Sequence, residues 1–163
     1  MKYSDSNPPI KCYMKQSSWY KGSALAMPVG ILWHCTGANN PNIKRYVQPD
    51  DNASDRIELI KIIGENTGKN DWNHITASVG VNAFIGKLAD GSVGTVQTGP
   101  WTMRAWGCGK GKNGSCNDGW IQFEICEDNL TNKDYFNKCY NINLLTLDYV
   151  CLLTFTCLIK VNK

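Results

Sequence analysis

Histidine is scarce in this chain: His34 and His74 are the only two. CxxC pairs are absent despite eight cysteines, so neither a zinc ribbon nor a thioredoxin-type redox motif is supported. The first residues, MKYSDSNPPIKC, contain no uninterrupted apolar stretch and no small-residue cleavage site, which argues against a secretory signal. With no oxidising compartment announced, Cys12, Cys35, Cys108, Cys116, Cys126, Cys139, Cys151 and Cys157 are expected mostly as reduced, buried thiols. Charge of one sign is also lacking. A net +3 falls well short of the basic patch of a nucleic-acid binder. No heptad, Gly-X-Y period or internal repeat occurs, and an apolar fraction of 42% excludes a disordered chain. The longest apolar run, residues 144–159, includes Asp148 and is too short for a membrane span, which needs about 20 residues. No membrane insertion is expected.

What is present fits one domain, since 163 residues match the usual allotment of about 150. Residues 1–27, with Pro8-Pro9 and small polar residues, read as an irregular arm packed on a core at residues 28–143. Residues 144–163 form an atypical apolar tail, either a continuing helix or a buried strand. Within the core, residues 29–35 (VGILWHC) are nearly all apolar and suit a central strand buried on both faces. Residues 52–63 (NASDRIELIKII) predict an amphipathic helix capped by Asn52 or Ser54 and ended by Gly64. VGVNAFIGKL and SVGTVQT flank Ala89-Asp90-Gly91, a hairpin signal. Residues 99–119 form a long Gly-rich loop of the kind that carries function. Residues 120–127 alternate, with Ile121, Phe123 and Ile125 on one face and Gln122, Glu124 and Cys126 on the other. Thr131 then opens a helix whose Tyr135, Phe136, Cys139 and Tyr140 share a face.

Two residues stand out chemically. His34 closes a strand and is followed by a small-residue loop that leaves an imidazole accessible. Glu124 lies on the polar side of its strand. If that strand is central, the carboxylate must be held by a metal, a cation or a substrate. His74, in DWNHIT, reads as a surface or hydrogen-bonded histidine, with a groove residue as the alternative. The run GCGKGKNGSC follows no strand and leads into no helix, so a phosphate cradle is weakly supported; Cys108 and Cys116 within it could form a local disulfide or supply soft ligands.

Three ordered blocks, ILWHCTGANNP, VNAFIGKLADGSV and AWGCGKGKNGSCNDGWIQFEICED, resemble the zinc-dependent N-acetylmuramoyl-L-alanine amidases of the amidase-2 or peptidoglycan-recognition type, especially phage and clostridial lysins. The resemblance spans about residues 10–140. It implies an α/β fold with a central mixed sheet flanked by helices and a shallow groove at the strand ends. It makes His34 the first zinc ligand and Glu124 the acid/base carboxylate, with Trp106 and Asn117 bordering the groove. The bond cut would join muramic acid to L-alanine of the stem peptide. The implied partner is bacterial peptidoglycan, met by a monomer that is made in the cytoplasm and acts at the wall after release. The chain departs from this family in one respect. Catalytic zinc takes three protein ligands, yet no histidine follows His74, and Cys151 and Cys157 match no motif position. The expectation is an amidase shortened at its C-terminal end and impaired in zinc binding. The alternatives are a non-catalytic peptidoglycan-binding module of the same fold and an unrelated cysteine-rich structural domain.

Overall fold

The computed structural model describes residues 3, 4 and 6–154. Nine segments follow one another: β1 (Ile10–Lys11), α1 (Ser18–Gly22), β2 (Gly30–Cys35), a 3-10 turn (Ile43–Arg45), α2 (Arg56–Ile63), β3 (Ala83–Lys87), β4 (Val93–Gln97), β5 (Trp120–Ile125) and α3 (Lys133–Thr154). The strands form one mixed sheet in the order β1-β4-β3-β5-β2. β3 and β4 are the antiparallel hairpin the sequence predicts, turned through Asp90 and Gly91, whose φ of 82° favours glycine. The other pairings, β1 with β4, β3 with β5 and β5 with β2, are parallel. This is an α/β domain with helices on both sides of a mixed sheet.

Alternation along the strands sorts the core into two layers. Ala83, Ile85, Ile121 and Phe123 face α3, where Tyr135, Cys139, Tyr149 and Val150 meet them. Tyr135 and Cys139 are four residues apart, and Tyr149 and Val150 follow about three helical turns after Cys139, so one stripe of α3 lies on the sheet. Two polar contacts fix it there: the Tyr135 hydroxyl donates to Cys126 O at 2.6 Å, and Thr95 Oγ1 pairs with Thr146 Oγ1 at 2.8 Å. The opposite face of the sheet carries Phe84 and Val96. Cys12, Met14, Trp19, Ile43, Tyr46, Val47, Leu59 and Ile63, from the arm, the turn and α2, cover it.

Several expectations need correction. β2 is an edge strand, paired on one side alone and half-buried, with Ile31 and Trp33 packed against the Phe123 layer and the Trp33 ring 4.5 Å from that of Phe123. The arm is not wholly irregular. It adds β1 to the sheet and α1 to the core, where Ser17 accepts the Tyr20 N–H and Trp19 is fully buried. α2 starts later than the periodicity suggests, with Asp55 at its N-terminal boundary and no side-chain cap. Of its apolar residues Leu59 and Ile63 are buried, whereas Ile57 and Ile62 are exposed. α3 is capped by Asn132, whose Oδ1 accepts the Tyr135 N–H, rather than by Thr131. Phe136 and Tyr140 stack on each other at the surface instead of joining Tyr135 and Cys139. Residues 144–154 continue this helix; the rest of the apolar tail, Cys157 included, lies outside the described residues.

Among the described cysteines all are free thiols; Cys12, Cys126 and Cys139 are buried, Cys35 is exposed, and Cys108, Cys116 and Cys151 lie between. Burial is therefore less general than expected, and Cys108 and Cys116 are not joined. Among the described residues no helix is long and apolar enough to cross a membrane.

Candidate functional site

The parallel pairing of β2 with β5 sets His34 directly beside Glu124, and the pairing of β3 with β5 sets Phe84 on the other side of Glu124. Register partners share a face, about 4.8 Å apart from strand to strand. Both side chains therefore point away from α3. β5 is central, so the condition attached to Glu124 in the sequence is met. Its residue exposure is 7%, and Oε2 is buried without a hydrogen-bond partner among protein atoms. Burial, reinforced by the nearby Glu127 carboxylate, pushes the Glu124 carboxyl from an ordinary 4.5 up to about 7. A carboxyl so placed exchanges a proton near neutrality, which is the property of a general acid/base.

His34 is half-buried on the edge strand, and its Nε2 lies 2.9 Å from Gln122 Oε1. Gln122 is fully buried two residues before Glu124, on the same face. Its Nε2 donates to Asn117 Oδ1 at 3.1 Å and to Cys108 Sγ at 3.5 Å. Asn117 Oδ1 also accepts the Gly107 and Cys108 N–H groups at 3.1 Å each, while Asn117 Nδ2 donates to Cys108 O at 2.7 Å. The 107–117 part of the 99–119 loop is thus tied to the sheet through Asn117 and Gln122. Asn82 ties the strand side of this brace, accepting Gln122 N at 2.9 Å and donating to Pro100 O and Met103 O. Trp106 is half-buried, packs against the Phe84 layer and donates its backbone N–H to Gly80 O.

The loops leaving β2 and β5 are stitched together at the same end of the sheet. Gly37 N donates to Glu127 Oε1, Glu127 N donates to Thr36 Oγ1, and Asn39 and Asn129 bond reciprocally. The Tyr46 hydroxyl lies 3.3 Å from Thr36 Oγ1, Ala38 O and Asn40 O, and its ring stacks on Phe84 at 5.6 Å. These contacts hold the segment after His34 against the body of the domain.

His74 is distant from this group in role. Its Nδ1 sits 2.9 Å from both carboxylate oxygens of the fully buried Asp71, and its Nε2 is 3.5 Å from Asp51. Asp51 in turn pairs with Lys69 at 2.7 Å, and that hydrogen bond lowers its pKa. This is the hydrogen-bonded histidine of the sequence reading, used to tie the 65–75 loop to the segment before α2.

The structure brings together His34, Glu124 and, through Gln122, Asn117; Trp106 stands on the same side of the sheet. Sequence reasoning missed Gln122 and Asn82 as members of the site. The signal was there: a polar residue inside VGVNAF and another inside WIQFEI must find buried partners. A cavity of about 610 Å³ between the end of β5 and the first half of α3 is lined by none of the predicted site residues. Among the described residues no three His, Cys, Asp or Glu side chains come together to hold a metal ion. Comparison with protein-family models, curated proteins and solved structures found no match to this chain.

Proposed function

We propose that this chain is a peptidoglycan-directed protein of the zinc-dependent N-acetylmuramoyl-L-alanine amidase type, with a site suited to the amide between muramic acid and L-alanine of the stem peptide. One observation carries the reading. Glu124 is buried on a central strand with an unpartnered oxygen, in register with His34, and holds its proton up to about pH 7. In the ionised form Glu124 takes a proton from an attacking water, and in the protonated form it delivers that proton to the departing amide nitrogen. In this reading Trp106, on the same side of the sheet, and Asn117, hydrogen-bonded to Gln122, would border the substrate.

In this reading His34 is one zinc ligand, and zinc would polarise the amide carbonyl and acidify a bound water. A catalytic zinc needs three protein ligands. The described residues do not complete that set, so no step here runs through the metal. The same donor count favours a second reading, a module of this fold that binds peptidoglycan without cutting it.

A single assay separates the two. The purified chain is incubated with purified peptidoglycan, with and without added zinc; wall-bound protein is measured by pelleting and newly freed alanine amino groups by end-group labelling. Slow, Glu124-dependent release of alanine termini is expected, and Glu124→Ala abolishes it while leaving the fold intact. Pelleting without release establishes the binding module. Neither pelleting nor release overturns both readings.

A further inference from the structure

We infer that Gln122 is a positioning residue that sets the tautomer of His34, so that the imidazole carries its proton on Nε2 and keeps Nδ1 as the lone-pair nitrogen. The argument is a chain of hydrogen-bond directions that starts from groups with no choice. A backbone N–H only donates. Gly107 N and Cys108 N both reach Asn117 Oδ1, and Asn117 Nδ2 faces the Cys108 carbonyl, so the Asn117 amide has one permitted orientation. The Gln122 atom 3.1 Å from Asn117 Oδ1 must then be the donor Nε2, because an oxygen there would confront an oxygen. That turns Gln122 Oε1 toward His34, 2.9 Å from its Nε2. An amide oxygen only accepts. His34 Nε2 therefore bears the hydrogen, and in the neutral ring Nδ1 is the nitrogen free to take a proton or a ligand.

The surroundings make this arrangement stiff. Gln122 is fully buried and its backbone is held on both sides by Asn82, with Gln122 N donating to Asn82 Oδ1 and Asn82 N donating to Gln122 O. Gly107 belongs to the same device, since a Cβ there would lie 2.3 Å from Gln122 Oε1 and 2.8 Å from Val81 Cγ1. A larger residue would push the amide off the ring. His74 has the opposite arrangement: its Nδ1 faces the two oxygens of Asp71, so in the neutral ring Nδ1 bears the hydrogen. The chain's two histidines are thus opposite tautomers, which makes the inference readable one ring at a time.

The tautomer stands on geometry alone, whereas what Nδ1 does with a substrate rests on the proposed function. The test is proton–nitrogen NMR on the uniformly 15N-labelled full chain, at a pH where titration shows both rings neutral, with His74 assigned by loss of its signals in His74→Gln. The wild type is expected to show a His34 Hε2 resonance protected from water exchange, and a His74 Hδ1. Gln122→Leu removes the acceptor and abolishes the His34 Hε2 signal while leaving His74 unchanged. Because Gln122 is buried, Asn117→Ala serves as a second variant outside the sheet; it frees the Gln122 amide to rotate and weakens the same signal. A wild-type His34 that shows Hδ1, or a His34 Hε2 undiminished in the folded variants, overturns the inference. Wall hydrolysis does not enter the measurement, so the amidase reading can fail with this result intact.

Discussion

Glu124→Gln should make the protein more stable above neutrality and leave it unchanged in acid. Below about pH 4.5 the carboxyl is protonated whether the chain is folded or not, so it contributes no difference. Between 4.5 and about 7 the folded state keeps a proton that the unfolded state releases, and stability falls as pH rises. Above that window both states are ionised and the full penalty applies. At about 1.4 kcal/mol per pH unit the displacement amounts to roughly 3 kcal/mol. The cause is structural: Glu124 is 7% exposed, one oxygen has no partner among protein atoms, and Glu127 adds repulsion. Glutamine keeps the shape and never ionises. Urea unfolding of wild type and variant at pH 4, 5, 6, 7 and 8, with chelator present, gives the difference, because titrating groups not coupled to Glu124 cancel between the two chains. The expected curve is flat below pH 4.5 and rises in the variant's favour to roughly 3 kcal/mol by pH 8. A difference that is constant from pH 5 to pH 8 would refute the assignment of a raised carboxyl to Glu124.

Two further substitutions probe the frame around the site. In Gly80→Ala the new Cβ would sit 2.0 Å from Cγ of the fully buried Trp19, so the indole must shift; a loss of about 3 kcal/mol is expected, seen as a lower urea midpoint. Asn82→Ala strands Gln122 N, Pro100 O and Met103 O in a dry interior, and hydrogen exchange should show the Gln122 amide losing its protection along with roughly 3 kcal/mol of global stability. An Asn82→Ala chain with wild-type protection at Gln122 would remove Asn82 from the brace.

Alternation made β5 legible in advance, because Ile121, Phe123 and Ile125 obey a period of two and Gln122 and Glu124 fall on the other face without further information. The hairpin was legible for a similar local reason, the Asp-Gly turn between two β-rich runs. The edge position of β2 was not. A run such as GILWHC reads as buried on both faces, yet the strand is half-buried and paired along one edge alone, and no local pattern distinguishes an edge strand from an interior one. β1 and α1 were hidden for a comparable reason: two residues of strand and five of helix carry too little periodicity to register, and they form because Trp19 and Met14 find a place over Phe84 and Val96. At the site, His34 and Glu124 could be nominated singly. Their adjacency depends on a pairing between segments ninety residues apart, and the Gln122–Asn117 link depends on how the 99–119 loop folds back.

That pairing has a consequence for how the protein is made. During synthesis β2 leaves the ribosome long before β5 exists, and at about 5–20 residues per second its partner follows roughly 5–20 s later. For that interval the segment GILWHC is an apolar strand with both edges unpaired, and the loop after it lacks the Glu127 and Asn129 contacts that later hold it. The hairpin of β3 and β4 closes within microseconds of emerging, yet it cannot recruit β2, because β5 lies between them in the sheet. The nascent chain therefore carries an apolar, unpaired strand in waiting, and β5 is the insertion that at once joins β2 to the sheet and brings Glu124 to His34.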